Sequence, residues 1–241
     1  MNLALIENMP KLPYAVEEAV NRLRINISFL GSDIRKIMLV STMPDEGKSF
    51  VTMQLWHQMA ETGTTSVLLD ADLRKSVMKD KYQIKREDGK GIWGTSHYLA
   101  DNIPLDEVVL HTKIAGGDIL PNTNNVVNPS LLLESKKFEV LVNSLANYYR
   151  YVFIDAPPLN LVSDGERIGS LCDGAVLVVR GDKTPKGMVK NSVQQLERAG
   201  CPLLGVVLNR VEGARSGYYY KKYGGSYYGG KQYGEQYYGQ V

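Results

Sequence analysis

Apolar and polar positions divide the chain into strand and helix segments in a repeating order. Apolar runs at residues 37–40, 67–69, 151–154, 174–180 and 203–208 are short and bounded by turn residues, and they predict strands buried on both faces. Residues 14–27 instead carry Val16, Val20, Leu23 and Ile27 at helical spacing, with Glu17, Glu18, Arg22 and Arg24 on other faces. A second helix starts after residue 47 and runs to about Glu61, where Thr62 and Gly63 stop it. Further helices are predicted over residues 130–146, behind Pro129, over 163–171, and over 187–199, closed by Gly200. A short helical pattern covers 105–110, and residues 119–121 predict one more short strand. Strands alternating with helices imply right-handed crossovers, hence an α/β fold with a mostly parallel sheet and helices on both faces.

One turn in this pattern carries chemistry. The strand at 37–40 runs into Ser41-Thr42-Met43-Pro44-Asp45-Glu46-Gly47-Lys48-Ser49 and then into a helix. A helix N-terminus points unpaired N–H groups outward and adds partial positive charge, which suits a phosphate. Gly47 permits close backbone approach, Lys48 adds a full charge, and Ser49 offers a hydroxyl to Mg²⁺. Phosphate-binding loops usually begin with Gly where this chain has Thr42, and Asp45 stands where a flexible residue is usual. Asp tolerates a left-handed backbone there.

Acids gather at the same address. Ligands of open α/β sheets sit beyond the C-terminal ends of the strands. The Gly-Lys-Ser turn, Asp70, Asp72, Asp155 and Asn209 all follow such ends. Asp70 and Asp72 stand two apart, which in a strand puts both on one side. ATP bound as its Mg²⁺ complex needs a phosphate cradle, oxygen ligands for the metal, and a group that takes the acceptor's proton. Ser49, Asp72 and Asp155 are the candidate metal ligands, directly or through water, and Lys48 is the catalytic cation on the phosphates. Asp70 is then free to orient and deprotonate a hydroxyl, and the exchange of roles between Asp70 and Asp72 stays open. Asp45, Glu46, Gly47 and Phe50 complete the nucleotide loop. Arg74 either reaches phosphate or pairs with Asp72, and Asn209 is a turn cap or a nucleotide contact.

Composition removes alternatives. At 241 residues and 44% apolar content the chain can bury one sizeable core. Its net charge of +2 and the lack of a basic groove argue against nucleic acid. Cys172 and Cys201 have no metal or redox spacing and suit a reducing cytoplasm as small apolar residues. His57, His97 and His111 have no mutual spacing that suggests a site. No apolar run approaches the ~18 residues of a membrane span, and the N-terminus does not read as a signal peptide. A cytoplasmic protein is expected, peripheral at the inner face of the membrane through a partner.

These residues together resemble the bacterial tyrosine kinases of capsule and exopolysaccharide synthesis, a branch of the deviant P-loop ATPases. The resemblance rests on Pro44 with Gly47-Lys48-Ser49, on Leu68-Leu69-Asp70-Ala71-Asp72-Leu73-Arg74 and on Phe153-Ile154-Asp155-Ala156-Pro157-Pro158, which look like the Walker A, A′ and B motifs. It extends over nearly the whole chain, through Glu18-Ala19, residues 23–27, Asn128-Pro129-Ser130, Cys172-Asp173-Gly174 and residues 204–209. It implies ATP-dependent autophosphorylation on tyrosine, control of polymer length, and activation by the cytoplasmic tail of a membrane polysaccharide co-polymerase. A ring-shaped homo-oligomer and a tyrosine phosphatase are expected alongside, and Asn209 is expected on the adenine edge. In the family a Glu-x-x-Arg-x-x-Arg pattern on the helix at 14–27 serves ring assembly. Here Glu18 and Arg24 fit, Asn21 replaces the middle Arg, and Arg22 stands about 100° away on a helix.

The expected organisation is a P-loop domain over residues 1–214 and a tail over 215–241. The tail carries Tyr218, Tyr219, Tyr220, Tyr223, Tyr227, Tyr228, Tyr233, Tyr237 and Tyr238 among Gly, Lys and Gln. Such composition cannot bury a core and predicts disorder, which makes the nine tyrosines candidate phosphoacceptors. Arg215, Lys221, Lys222 and Lys231 stand against Glu235, so roughly two phosphates at about −1.5 to −2 each reverse the tail's sign. Two other functions fit parts of the pattern. A positioning switch of the partition-ATPase type usually has a second Lys early in the loop, which residues 41–47 lack. A weakly catalytic adaptor would use the tyrosine-rich tail for binding alone.

Overall fold

Each central strand sends alternate residues to opposite faces, and the two faces bury separate cores. In the computed structural model, which describes residues 2–101 and 103–211, Met38 and Val40 enter one cluster while Ile37 and Leu39 enter the other. Val152 and Ile154 against Tyr151 and Phe153, and Leu177 against Val176 and Val178, divide the same way. A period of two with apolar residues in both phases is what a sheet covered on both sides requires.

In chain order the elements are β1 (Leu3–Ile6), α1 (Tyr14–Ser28), β2 (Lys36–Ser41), α2 (Lys48–Glu61), β3 (Ser66–Asp70), α3 (Met78–Lys81) and β4 (Ile84–Arg86). They continue as α4 (Thr95–Ala100), α5 (Leu105–Val108), β5 (Leu110–Thr112), β6 (Gly117–Leu120), α6 (Ser130–Glu134) and α7 (Lys136–Tyr148). The last are β7 (Tyr151–Asp155), α8 (Asp164–Gly169), β8 (Gly174–Arg180), α9 (Lys186–Arg198) and β9 (Leu203–Asn209). The strands form one sheet in the order β4-β1-β5-β6-β3-β7-β2-β8-β9. It is parallel except where β4 meets β1 and where β5 meets β6.

This order decides where the chemistry falls. β2 lies between β7 and β8, and β7 lies between β2 and β3. Asp70 stands opposite Asp155 in the β3–β7 register, and Asp155 opposite Leu39 in β2–β7. The turn after β2 and the acids ending β3 and β7 therefore share one edge.

Three expectations need correction. The first strand, β1, was not expected: Leu3–Ile6 is short and lacks a decisive pattern, and it is inserted between β4 and β5. The helix expected over 130–146 is two helices, because Ser135 adopts an extended conformation (ψ 150°) and its hydroxyl accepts from the Phe138 N–H. β3 ends at Asp70, so Asp72 lies beyond the strand and the two acids do not share its pleat. The tail tyrosines and the boundary at 214 lie outside the described residues.

Away from the edge, the expected motif Cys172-Asp173-Gly174 serves the fold. Asp173 Oδ2 accepts from the N–H groups of Arg35 and Lys36 at 2.9 and 2.8 Å, fastening the entry to β2. Cys172 and Cys201 are both buried, and burial raises both thiols, Cys201 to about 12. Neither thiol is expected to react with iodoacetamide in the folded chain at about pH 8, and both should react in denaturant. Mass spectrometry of the alkylated protein checks this, and native labelling would contradict the described packing.

Candidate active site

Gly47 begins the site because the loop turns there with φ +92°, a conformation that favours glycine. A Cβ at this position would collide with the Asn209 amide. The same amide donates to the Glu46 carbonyl at 2.8 Å, so the end of β9 holds the turn from outside. Asp45 takes the left-handed conformation anticipated for it (φ 60°). Glu46 is buried, and its side chain does not face the pocket. It accepts from the Met43 N–H at 2.9 Å, from the Arg180 N–H at 3.4 Å and from the Thr184 hydroxyl.

From this turn Lys48 reaches the acids. Its Nζ lies 3.1 Å from Asp72 Oδ2 and 3.2 Å from Asp155 Oδ2. Ser49 Oγ donates to the same Asp155 oxygen at 2.6 Å. Burial alone would lower the lysine, but Asp155, Asp72 and Asp70 outweigh it and hold its pKa above the ordinary value. Thr52 donates to Asp155 Oδ1 at 3.0 Å. That residue was not anticipated, although its spacing of four from Lys48 puts both on one face of α2.

Asp70 is part of the cluster but hidden within it. It is fully buried, accepts from the Ser76 hydroxyl at 2.5 Å and receives the Asp72 N–H at 3.2 Å. Burial, and then the neighbouring Asp155, push its carboxyl well above the usual carboxylate range. Asp72, by contrast, lines an open cleft of about 270 Å³ together with Asp45, Gly47, Lys48, Ser49, Phe50 and Arg74. Arg74 does not pair with Asp72. Its guanidinium meets the buried Asp164 at 2.5 and 3.1 Å and donates to Ser130 Oγ at 3.1 Å. Asp164 and Ser130 open two helices far along the chain, so no local signal points to them.

The donor set suits a hard divalent cation, since one hydroxyl and two carboxylates lie together beside the Lys48 ammonium. The histidines play no part: His57 meets Glu61, His111 meets Asp118, and His97 contacts Thr123 and Asn124.

Comparison with known proteins identifies the family and the fold. A family model described as the CobQ/CobB/MinD/ParA nucleotide binding domain (CbiA) matches residues 37–229. Over 223 residues the chain is 30% identical to tyrosine-protein kinase CpsD of Streptococcus agalactiae, covering 92% of this chain and 96% of that one. The solved structure of the chimerical protein CapA2B2 matches with a TM-score of 0.75 and 30% identity over 86% of this chain and 89% of that one. The septum site-determining protein MinD of Pyrococcus horikoshii OT3 has a TM-score of 0.62 at 23% identity over 74% of this chain and 72% of its own, a likeness of fold alone.

Because Glu46 satisfies three donors from below the turn, Glu46→Ala is expected to destabilise the chain by about 1–3 kcal/mol. It should also weaken nucleotide binding. Urea unfolding and nucleotide titration check the two effects, and an unchanged midpoint would mean that the carboxylate does not brace the loop.

Proposed function

We propose that this chain, which belongs to the CobQ/CobB/MinD/ParA nucleotide-binding family and within it to the tyrosine-protein kinases, moves the terminal phosphoryl group of ATP to tyrosine. The observation that carries the reading is the meeting of Lys48, Ser49, Asp72 and Asp155 at one sheet edge, with N–O distances of 3.1 and 3.2 Å and an O–O distance of 2.6 Å. The N–H groups from Asp45 to Phe50 cradle the phosphates, and Lys48 neutralises their charge. Ser49 and Asp155 are the residues that would hold Mg²⁺, which leaves the Asp72 carboxylate free of the ion. When bound, the ion supplies further charge neutralisation to the phosphoryl transfer.

Both carboxylates that sequence left open as proton acceptor are buried, and access to the cleft supports Asp72 in that role. Asp72 faces the cleft, whereas Asp70 is fully buried behind Ser76. An incoming phenol therefore meets Asp72, which takes its proton as the oxygen bonds to phosphorus and ADP leaves. Asp70 positions Asp72 by accepting its N–H. Arg74 stands at the rim, oriented by Asp164. Asn209 supports the loop, and its adenine contact is part of the same reading.

The acceptors are the tyrosines between Tyr218 and Tyr238, in a tail over 215–241 that follows a kinase domain over 1–214. Capsular or exopolysaccharide synthesis is the process regulated, and accumulated phosphates switch assembly by reversing the tail's charge. Among the described residues no helix is long and apolar enough to cross a membrane. The proposed tether and activator is the cytoplasmic tail of a membrane polysaccharide co-polymerase, and a tyrosine phosphatase reverses the modification.

Incubation with Mg-ATP, with and without that cytoplasmic segment, should give phosphotyrosine by mass spectrometry. Lys48→Met should reduce it by about 10²-fold or more. Mixed with a chain whose tail tyrosines are all Phe, the Lys48→Met chain should be phosphorylated by its neighbour; an unmodified tail would contradict transfer between copies. ATP binding with no tyrosine modification under either condition would overturn the kinase reading.

Assembly depends on α1 in this reading. Arg24 donates to Asn21 Oδ1 from Nε and Nη2, at 3.1 and 2.7 Å, so part of its donor capacity is engaged within its own helix. Replacing Asn21 frees that guanidinium. Asn21→Arg should shift the oligomer distribution upward in sedimentation velocity, and an unchanged distribution would remove Asn21 from the assembly contact.

A further inference from the structure

Of the cations that line the cleft, Lys75, Lys81 and Arg210 have no part in the phosphoryl transfer described above, and the last two lie beside the glycine turn and the start of α2. Lys81 ends α3 and Arg210 follows β9, yet both line the same cleft. Arg210 takes a left-handed backbone (φ 55°) directly after Asn209. Its Nε lies 3.9 Å from where a Cβ on Gly47 would stand, so the guanidinium rests beside the glycine turn. Lys81 Nζ stands 5.5 Å from the centroid of the Phe50 ring, on the first turn of α2. The two sites are therefore neighbours across the start of one helix.

Their charges are poorly neutralised. Lys48 is paired with Asp72 and Asp155, and Arg74 with Asp164, whereas Lys81 and Arg210 make no ion pair among the described residues. They face one another closely enough that Arg210, after burial, contributes to lowering Lys81 below the ordinary lysine value. Two like charges on one wall repel each other, and an anion between them turns that repulsion into two attractions. The aromatic face of Phe50 holds the ammonium in place without cancelling its charge.

We propose that Lys81 and Arg210 form a second cationic seat in the cleft, which takes the sugar-proximal phosphate of nucleoside di- and triphosphates. The inference rests on the reading of the cleft as an ATP site. There the terminal phosphates belong to Lys48, the metal to Ser49 and Asp155, and the acceptor's proton to Asp72. The seat lies off that carboxylate floor, beside Gly47 and Phe50. It therefore serves ADP as well as ATP, and it governs how tightly the product is held.

The test uses the full chain and isothermal titration with Mg-ATP, Mg-ADP and adenosine. Lys81→Met and Arg210→Gln remove the charges while keeping apolar stems. Each is expected to weaken ATP and ADP alike by about 5- to 20-fold, with adenosine unchanged and Lys81→Arg restoring most of the loss. The fall of ADP affinity with added salt should also be shallower in the variants. Unchanged ADP affinity would overturn the seat. So would a loss confined to ATP, which puts the cations on the terminal phosphate, or an equal loss for adenosine, which puts the effect in packing. A wild-type chain that binds neither nucleotide would overturn the ATP reading itself, whereas a wild type that binds both beside unaltered variants overturns the seat alone.

Discussion

The buried ammonium of Lys48 holds together two carboxylates that arrive from different strands. An ion cluster out of water is held against a desolvation penalty, and it is weak evidence for stability in itself. Its value here is positional. Lys48 begins α2, Asp72 lies just beyond β3, and Asp155 ends β7, so one side chain registers three elements against one another. With Asp70 beside them, acids outnumber the cation at the floor of the cleft. That imbalance is reduced by protonating the most buried carboxylate or by a divalent cation, and the oxygen ligands present suit the second.

The loop above this floor is secured from both sides. Glu46 turns inward to Met43, Arg180 and Thr184, while Asn209 reaches over to the Glu46 carbonyl. The backbone N–H groups that a phosphate needs are thereby set before any ligand arrives, and little reorganisation is left for binding. This clamp depends on the sheet order, because Arg180 ends β8 and Asn209 ends β9, the two strands beside β2 on that flank.

Much of this was legible in the residues. Ile37, Met38, Leu39 and Val40 announce a strand buried on both faces, and Gly47-Lys48-Ser49 behind them announces a phosphate loop at a helix start. Asp70, Asp72 and Asp155 stand at strand ends, which a parallel sheet brings to one edge. Such inferences succeed because they use short-range geometry, the period of a strand and the unpaired N–H groups of a helix, which neighbouring residues determine.

The chain alone therefore determined the layered α/β sheet, the loop, and the edge where the acids gather. Only the tertiary structure decided that Asp72 faces the cleft while Asp70 is hidden behind Ser76, that Arg74 binds Asp164, that Glu46 points inward, and that Leu3–Ile6 enters the sheet between β4 and β5. Each of these depends on a partner distant in sequence or on a bend past a strand's end. Charge and hydrogen bonding act through space, and spacing along the chain does not encode that distance.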